Sequence, residues 1–245
     1  MAFLYGISPV LECVKHQRRD IHRLYVKEGK PSPRIQEILN LARKASLKVE
    51  TIGVQSLGDR AQSRNHQGVV LEAGELYTLG LSDFLREQPQ DKVTLVALDQ
   101  IEDPQNLGSI VRSAAFLGAK AVMFAKSHSS PLSPAVSKAS AGALEFFPMV
   151  SVPNLSQALT ELQDDLFHIW GADSGEGAQD YKSAKPGDRQ VLVLGNEGRG
   201  LRALTQKRCH ALVRIPGGPD PDSLNVSVST GILLSHFLSA EHRTP

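Results

Sequence analysis

The spacing of hydrophobic residues predicts alternating strands and helices along most of the chain. The clearest strand is residues 93–98, a continuous apolar run typical of a strand buried on both faces of a parallel sheet. The clearest helix is residues 107–117, whose apolar residues lie three and four positions apart. Further strands are predicted at residues 22–26, 48–52, 69–71, 121–125, 148–152, 168–172, 191–194 and 211–215. Further helices are predicted at residues 5–16, 34–45, 55–59, 135–143, 156–166, 201–207 and 227–238. This alternation is typical of an α/β fold with a parallel sheet covered by helices.

The pattern loosens between residues 75 and 92, where Gly80 and Pro89 interrupt it. A length of 245 residues exceeds that of a typical single domain. We therefore predict a small α/β domain at residues 1–76, a linker at residues 77–91 and a larger domain at residues 92–245.

Composition and charge place the chain among ordinary globular proteins, with 41% hydrophobic residues, 22% charged residues and a net charge of +1. Residues 1–75 carry 12 Lys and Arg against 8 Asp and Glu, whereas the remainder carries 15 against 18. This mild basic excess suits a surface that follows phosphates, but it equally suits an ordinary solvated surface.

Cysteine use and hydropathy bear on compartment. Cys13 and Cys209 lie far apart and have no metal-ligand spacing, so we predict no metal site and a reducing compartment. No apolar run is long enough to span a bilayer, and the first residues lack the apolar core of a signal peptide. The sequence thus predicts a cytoplasmic protein that does not bind membranes.

Three segments that follow predicted strands carry candidate chemistry: residues 99–112, 194–201 and 215–228. In open α/β sheets, ligands bind beyond the carboxyl ends of the strands, where these segments lie. The second segment has three glycines around Asn196 and Glu197, and glycine lets a backbone approach a ligand closely.

Each segment also has a purely structural interpretation. Asp103 followed by proline is an ordinary helix start, and Asn106 is a common capping residue. Arg112 lies off the apolar stripe of its helix, as a solvated arginine would, and Glu197 is placed to cap the next helix. The polar residues 223–227 would satisfy free amides at a helix N-terminus.

Together the three segments resemble the signature motifs of the SpoU/TrmH class of SPOUT RNA methyltransferases. The first motif is Asp-Pro-Gln-Asn-Leu-Gly at residues 103–108, followed by Arg112; the second is Leu-Gly-Asn-Glu-Gly at residues 194–198. The third is Ile-Pro at residues 215–216 with Ser-Leu-Asn-Val-Ser at residues 223–227. Residues 5–7 and 65–69 are similar to the substrate-binding domain that precedes this catalytic domain in rRNA guanosine methyltransferases.

The resemblance implies a SPOUT fold, in which helices flank a parallel sheet and the C-terminal segment forms a deep trefoil knot, preceded by a small L30e-like RNA-binding domain. It implies S-adenosylmethionine as cofactor and a homodimer in which each site is completed by the partner chain. The positions implied to hold the cofactor are Leu194, Gly195, Asn196, Gly198, Ile215, Pro216, Ser223 and Leu224. The positions implied to act in catalysis are Asn106, Arg112, Glu197, Ser223 and Asn225.

The implied reaction is methyl transfer to a ribose 2′-hydroxyl, which is a poor nucleophile until its proton leaves. The arginine of the first motif has been proposed as the base in this family. Because a guanidinium has a pKa above about 12, we interpret Arg112 instead as a phosphate anchor and a stabiliser of the alkoxide. Glu197 would orient this arginine or a backbone amide.

The implied substrate is a guanosine in large-subunit rRNA, which makes rRNA processing the expected role; a tRNA ribose is the second expectation. The loop at residues 217–222 is richer in proline and acid than the common bacterial form, which bears on cofactor entry and on the target. Two other classes of function stay open. One is a non-catalytic RNA-binding ribosome-assembly factor with the same fold. The other is an ordinary doubly wound nucleotide-binding enzyme, which would carry a glycine fingerprint after its first strand that this chain lacks.

Overall fold

A computed structural model describes residues 1–88, 92–127, 129–175, 177–218 and 223–239. The chain forms two compact units. The N-terminal unit consists of Met1–Tyr77 together with Leu132–Phe147, and the C-terminal unit consists of Thr78–Pro131 together with Pro148–Pro245.

The elements alternate as the hydrophobic pattern predicts. The strands are β1 (Ala2–Tyr5), β2 (Ile21–Lys27), β3 (Lys48–Ile52), β4 (Val69–Ala73), β5 (Val93–Leu98), β6 (Ala121–Ala125), β7 (Met149–Val152), β8 (His168–Ala172), β9 (Gln179–Asp180), β10 (Arg189–Leu194) and β11 (Ala211–Arg214). The α-helices are α1 (Ile7–His16), α2 (Pro33–Lys44), α3 (Val54–Ala61), α4 (Leu81–Glu87), α5 (Pro104–Leu117), α6 (Pro134–Ala139), α7 (Leu155–Asp164), α8 (Ala203–Gln206) and α9 (Val226–Ser239). Short 3₁₀ helices occupy Ala143–Glu145 and Tyr181–Ser183.

The N-terminal unit has a four-stranded mixed sheet in the order β1-β4-β2-β3. Strand β4 runs antiparallel to β1 and β2, and β3 runs parallel to β2. Residues from α1, α2 and the sheet, among them Leu4, Val10, Leu24, Ile38 and Leu71, form one buried hydrophobic cluster.

A buried ion pair lies inside the N-terminal unit. Arg19 donates from Nε to Glu145 Oε2 at 2.7 Å and from Nη2 to Glu145 Oε1 at 3.1 Å. The two side chains are 1% and 0% exposed. Charges this deeply buried are stable only when they are paired and hydrogen-bonded. The pair therefore ties Leu132–Phe147 to the first residues of the chain.

The C-terminal unit has a seven-stranded sheet in the order β7-β6-β5-β10-β8-β11-β9, and every neighbouring pair is parallel. All six residues of β5 are buried, as expected for a central strand covered on both faces. Helix α5 begins where the Asp103 side chain accepts a hydrogen bond from the Asn106 amide at 2.9 Å, with Pro104 as its first residue. The predicted α/β class with a parallel sheet is confirmed.

Several element bounds differ from the predictions. The predicted helix at residues 5–16 begins at Ile7, because Gly6 has a φ of 92° and the preceding residues pair with β4 as β1. Helix α4 lies within the predicted linker, where Leu81 and Phe84 are buried. The predicted helix at residues 201–207 is reduced to α8, because Leu201 and Arg202 belong to the loop after β10.

Some expectations are not settled by these elements. The trefoil knot stays a prediction, and residues 219–222 of the proline-rich loop lie outside the described residues. Within the described part of the chain, no helix combines the length and apolar character needed to cross a bilayer.

Candidate functional site

Three neighbouring strands end at one cleft in the C-terminal unit. In the sheet β8 lies between β10 and β11, and their parallel register brings the carboxyl ends of all three strands to the same edge. The cleft beyond them encloses about 480 Å³, a volume suited to a small ligand. Its lining comes from the ends of β8, β10 and β11 and from the N-terminal part of α9. Residues of the second and third motifs therefore meet at one site.

Backbone hydrogen bonds close the loop after β10. Asn196 and Gly200 exchange two backbone hydrogen bonds of 3.1 and 2.8 Å. A Cβ on Gly195 would lie 2.3 Å from the carbonyl carbon of Gly200, which no side chain tolerates, and Gly200 itself has a φ of 63°. The glycines are thus required by the closed loop, which presents its backbone to the cleft.

The side chains of Asn196 and Asp99 hold this loop in place by hydrogen bonds. Asn196 donates from Nδ2 to the carbonyl oxygen of Gln100 at 2.9 Å and accepts from the Gly198 amide at 3.0 Å. Asp99, which is 1% exposed, accepts from the backbone amide of Arg202 at 2.9 Å and from its Nε at 2.6 Å. The loop is therefore anchored at both ends to the residues that follow β5.

A polar cluster joins the three motifs. Asn225 donates from its side-chain amide to Asn106 Oδ1 at 3.0 Å and to Glu197 Oε1. The Val226 amide also donates to Glu197 Oε1, at 3.4 Å. Asn106 is buried on α5, whereas Glu197 and Asn225 are exposed. The cluster therefore places one residue from each motif in direct hydrogen-bond contact.

The other two predicted catalytic residues, Ser223 and Arg112, do not join this cluster: Ser223 lines the cleft, and Arg112 is exposed on α5. The Arg112 side chain makes neither a hydrogen bond nor an ion pair with any described residue. Its guanidinium therefore keeps all its donors for a ligand or for another chain.

The residues predicted to hold a cofactor lie at the cleft with one exception. From this set, the cleft is lined by Leu194, Gly195, Asn196, Gly198, Ile215, Ser223 and Leu224, and it is also lined by Glu197 of the predicted catalytic set. Pro216 is exposed and is not part of the lining. Among the described residues no group of three or more His, Cys, Asp or Glu side chains is arranged to hold a metal ion.

Sequence reasoning missed several residues of the cleft, among them Asp173 and Gln206. Asp173 follows β8 directly, and its carboxylate accepts a hydrogen bond from Gln206 Nε2 at 2.8 Å. Burial, reinforced by the charges of Asp173 and Asp99, raises the pKa of the nearby Cys209 thiol to about 12. The only sequence signal for Asp173 was its place directly after an apolar strand, because its loop matches none of the three motifs.

Two family models cover most of the chain. The SpoU rRNA Methylase family matches residues 93–235, and the RNA 2′-O ribose methyltransferase substrate-binding family matches residues 3–78. The chain belongs to the SpoU rRNA methylase family. The match spans every strand of the large sheet and all the residues of the polar cluster.

Named relatives resemble this SpoU family member over nearly its whole length. The 23S rRNA (guanosine-2′-O-)-methyltransferase RlmB of Xanthomonas campestris pv. campestris is 35% identical, with 95% of this chain and 94% of that protein covered. The protein of the same name from Pseudomonas aeruginosa is 34% identical, with 99% and 97% covered.

Solved structures share the fold of this SpoU family member. The SpoU methyltransferase AviRb from Streptomyces viridochromogenes, in complex with AdoMet, has a TM-score of 0.82 at 22% identity and covers 99% of this chain and 91% of its own. The AdoMet-bound rRNA methyltransferase from Sinorhizobium meliloti has a TM-score of 0.80 at 23% identity, with 100% and 88% covered. The predicted fold class is thereby confirmed.

Proposed function

We propose that the protein transfers a methyl group from S-adenosylmethionine to the ribose 2′-hydroxyl of a guanosine in large-subunit rRNA. The observation that carries this proposal is the contact between Asn106, Glu197 and Asn225 at the rim of a cleft built by three strand ends. The relatives named for this activity are about a third identical over at least nine tenths of the chain, which supports the substrate class.

The cleft suits S-adenosylmethionine in its chemistry. Residues 195–200 line the cleft, and their three glycines let the backbone approach an adenine edge without side chains in between. Leu194, Ile215 and Leu224 offer apolar contacts for a planar base. The proposed cofactor-binding residues are Leu194, Gly195, Asn196, Gly198, Ile215, Ser223 and Leu224, which line the cleft. Pro216, next to Ile215, belongs to the same proposed set although it does not line the cleft.

The roles of the polar cluster follow from its hydrogen bonds. When bound, the cofactor supplies a methyl group made electrophilic by a sulfonium. Glu197 accepts from the Asn225 side chain and from the Val226 amide, so it holds the start of α9 against the loop after β10. Asn225 then links that loop to Asn106 and to α5. We assign the cluster, with Ser223, to positioning the ribose hydroxyl beside the methyl donor.

Arg112 is assigned to charge stabilisation. A guanidinium gives up its proton only above about pH 12, so it does not serve as a base near neutrality. Its donors are free of protein partners among the described residues, and they can bind an RNA phosphate and the developing alkoxide.

The proposed assembly is a homodimer in which α5 and α9 carry the subunit contact. Both helices present apolar side chains to solvent: Phe116 is 87% exposed and Val228 is 50% exposed. Helices α5 and α9 contact each other, and large exposed apolar groups on adjoining helices are typical of an interface. Sedimentation equilibrium of wild type and Phe116→Glu tests this, with the matched change Leu166→Glu, at an 84% exposed leucine in the turn after α7, as control. A monomeric wild type would contradict the homodimer.

The proposed division of labour follows the predicted domains. Residues 1–76 bind the RNA substrate and residues 77–91 connect the two domains. Residues 92–245, apart from Leu132–Phe147 of the N-terminal unit, carry out methyl transfer in the cytoplasm. The excess of basic residues in the first 75 positions supports RNA binding by that domain.

The deciding experiment is methyl transfer with radiolabelled S-adenosylmethionine. Purified protein is incubated separately with rRNA and tRNA from cells that lack the enzyme, and the modified position is mapped as a 2′-O-methylated nucleotide. We expect label in one guanosine of large-subunit rRNA and none in tRNA. Label in tRNA alone would replace the proposed substrate. Absence of cofactor binding by calorimetry would favour the non-catalytic scaffold.

A further inference from the structure

An acidic residue, Asp173, directly follows β8, the strand that lies between β10 and β11. In β8, Ala172 pairs with Leu194 of β10 on one side and with Val213 of β11 on the other. The next residue, Asp173, donates its backbone amide to the carbonyl oxygen of Val213 at 3.0 Å. Asp173 therefore lies in the middle of the cleft floor and contributes to its lining.

The Asp173 carboxylate is held by two neutral donors. Its Oδ1 accepts from the Gly175 amide at 2.7 Å, and its Oδ2 accepts from Gln206 Nε2 at 2.8 Å. Across the described part of the chain it has no ion-pair partner, and it is only half-buried. Since each carboxylate oxygen can accept two hydrogen bonds, one acceptor site on each oxygen stays available to a ligand.

The position of Asp173 indicates which ligand groups it meets. Strands β5 and β8 flank β10 on opposite sides; in the polar cluster, Asn106 is on α5, which follows β5, and Glu197 is in the loop after β10. Neighbouring strands are about 4.8 Å apart, so Asp173 lies about one strand spacing from the end of β10 and about two from the end of β5. Asp173 is therefore on the side of β10 away from Asn106, where a ligand held by the loop after β10 would present a group other than the reacting methyl.

The arrangement matches a known solution to nucleoside recognition on parallel sheets. There a glycine-rich loop follows one strand, and an acid at the end of a neighbouring strand accepts hydrogen bonds from ribose hydroxyls. Here the glycine-rich loop follows β10, and Asp173 follows the adjacent β8. Resting on the proposed function, we propose that Asp173, oriented by Gln206, binds the ribose hydroxyls of the S-adenosylmethionine adenosine.

The test is calorimetric binding of four probes to the full-length protein. The probes are S-adenosylhomocysteine, its 2′-deoxy and 3′-deoxy analogues, and 5′-methylthioadenosine, which lacks the amino-acid part. Wild type is compared with Asp173→Asn and with Asp83→Asn, a control on α4 whose carboxylate pairs with Arg86 on the same helix. Thermal denaturation verifies that each variant folds.

We expect wild type and Asp83→Asn to lose about tenfold in affinity when the contacted hydroxyl is removed. Asp173→Asn should bind S-adenosylhomocysteine and 5′-methylthioadenosine about tenfold more weakly, and it should no longer discriminate against the deoxy analogue. Gln206→Ala should weaken binding less and in the same pattern, because it only orients the carboxylate.

Different failures separate the two proposals. If wild type binds the probes but tolerates both deoxy analogues, the ribose assignment is overturned while the proposed function stands. If Asp173→Asn weakens S-adenosylhomocysteine but not 5′-methylthioadenosine, the carboxylate binds the amino-acid part instead, and the ribose assignment is again overturned. If wild type binds none of the four probes, the methyltransferase proposal itself fails.

Discussion

Asn225 donates a hydrogen bond to Asn106 at 3.0 Å, although the two residues are 119 positions apart in the sequence. The same amide group contacts Glu197, while Asn225 Oδ1 accepts from the Ser227 amide at 2.9 Å at the start of α9. The Asn225 side chain thus has two separable functions. Its amide NH₂ group links the three motifs, and its Oδ1 caps α9.

Substitutions of Asn225 separate these functions. Asn225→Asp keeps the acceptor that caps α9 but removes the donor and places a second carboxylate beside Glu197, so we expect methyl transfer to fall at least tenfold with little change in Tm. Asn225→Ala also removes the cap and should cost about 1 kcal/mol of stability in addition. Single-turnover methylation and thermal denaturation measure both effects. Full activity of Asn225→Asp would remove the donor from the proposed mechanism.

Gly195→Ala should disrupt the loop after β10. The new Cβ meets the Gly200 backbone, so the loop must open, and overpacking of this kind costs about 2 kcal/mol. We expect S-adenosylmethionine affinity to fall more than tenfold by calorimetry. Gly187→Ala is the matched control, because a Cβ there meets no atom within 4 Å. Equal effects of the two substitutions would show that the closed loop is not what binds the cofactor.

Arg112 should matter for chemistry and not for stability. It is exposed and has no partner among the described residues, so Arg112→Ala should change the unfolding free energy by less than about 0.5 kcal/mol. Single-turnover methylation should fall about 100-fold or more, and Arg112→Lys should recover only part of it, because lysine lacks the planar fork of donors. Arg86→Ala, at an exposed arginine of α4, is the control. A wild-type methylation rate in Arg112→Lys would show that only the positive charge at this position is needed. A wild-type rate in Arg112→Ala would exclude Arg112 from the reaction.

The C-terminal unit should lose stability in mild acid through His168. Burial, aided by the neighbouring His210, lowers the pKa of His168 below its ordinary 6.5, and its Nε2 has no hydrogen-bond partner in the described residues. A lowered folded-state pKa favours the neutral form, so the stability it contributes is present above pH 6.5 and is lost as the pH falls towards the folded-state pKa.

The check is Tm measured between pH 7.5 and 5.0. His168→Phe keeps an aromatic ring against Trp170, whose centroid lies 4.4 Å away, but cannot ionise. It should therefore lose less Tm on acidification than wild type. Some pH dependence will persist, since burial also lowers the pKa of His66. Parallel Tm curves for wild type and variant would contradict the assignment.

Breaking the buried ion pair should destabilise the N-terminal unit strongly. Glu145→Gln leaves the Arg19 charge buried without a counter-ion, at a cost of about 3–5 kcal/mol. The double change Arg19→Met with Glu145→Leu removes both charges and should be clearly less destabilising than the single change. Urea unfolding measures the free energies.

Thiol labelling gives a second readout for this pair. Cys13 is fully buried in the same unit, and burial together with the Glu145 charge raises the pKa of its thiol far above the ordinary range. Glu145→Gln should open the unit and speed alkylation of Cys13, whereas Cys209, in the other unit, should label at its wild-type rate. An unchanged Cys13 rate would contradict local opening.

The sequence predicted the catalytic half of the fold because its signals are local. Strand β5 is a continuous apolar run, and α5 begins with Asp103 and Pro104, which fix its first turn through neighbouring atoms. In contrast, β1 forms because it pairs with β4, about 70 positions later in the sequence. With only four residues, β1 is too short to show a hydrophobic pattern that would predict a strand. Elements that depend on distant partners were therefore missed.

The same distinction explains the site. Asn106, Glu197 and Asn225 were predicted together because they belong to motifs with a familiar order, and the structure brings them into contact. Asp173 belongs to no motif, and only the sheet order places it between the two loops. The role of Arg112 stays a prediction, since its side chain contacts no other site residue among those described.

The membership of Leu132–Phe147 in the N-terminal unit has a consequence for biosynthesis. Glu145 leaves the ribosome about 70 residues after the last strand of its own sheet, which at about 5–20 residues per second takes on the order of ten seconds. Throughout that interval the nascent N-terminus holds Arg19 without its counter-ion and α1 without the neighbours it later packs against. Translation therefore delays completion of the first unit until part of the second has already been made, and a protein truncated before residue 145 would expose that incomplete surface to chaperones and proteases.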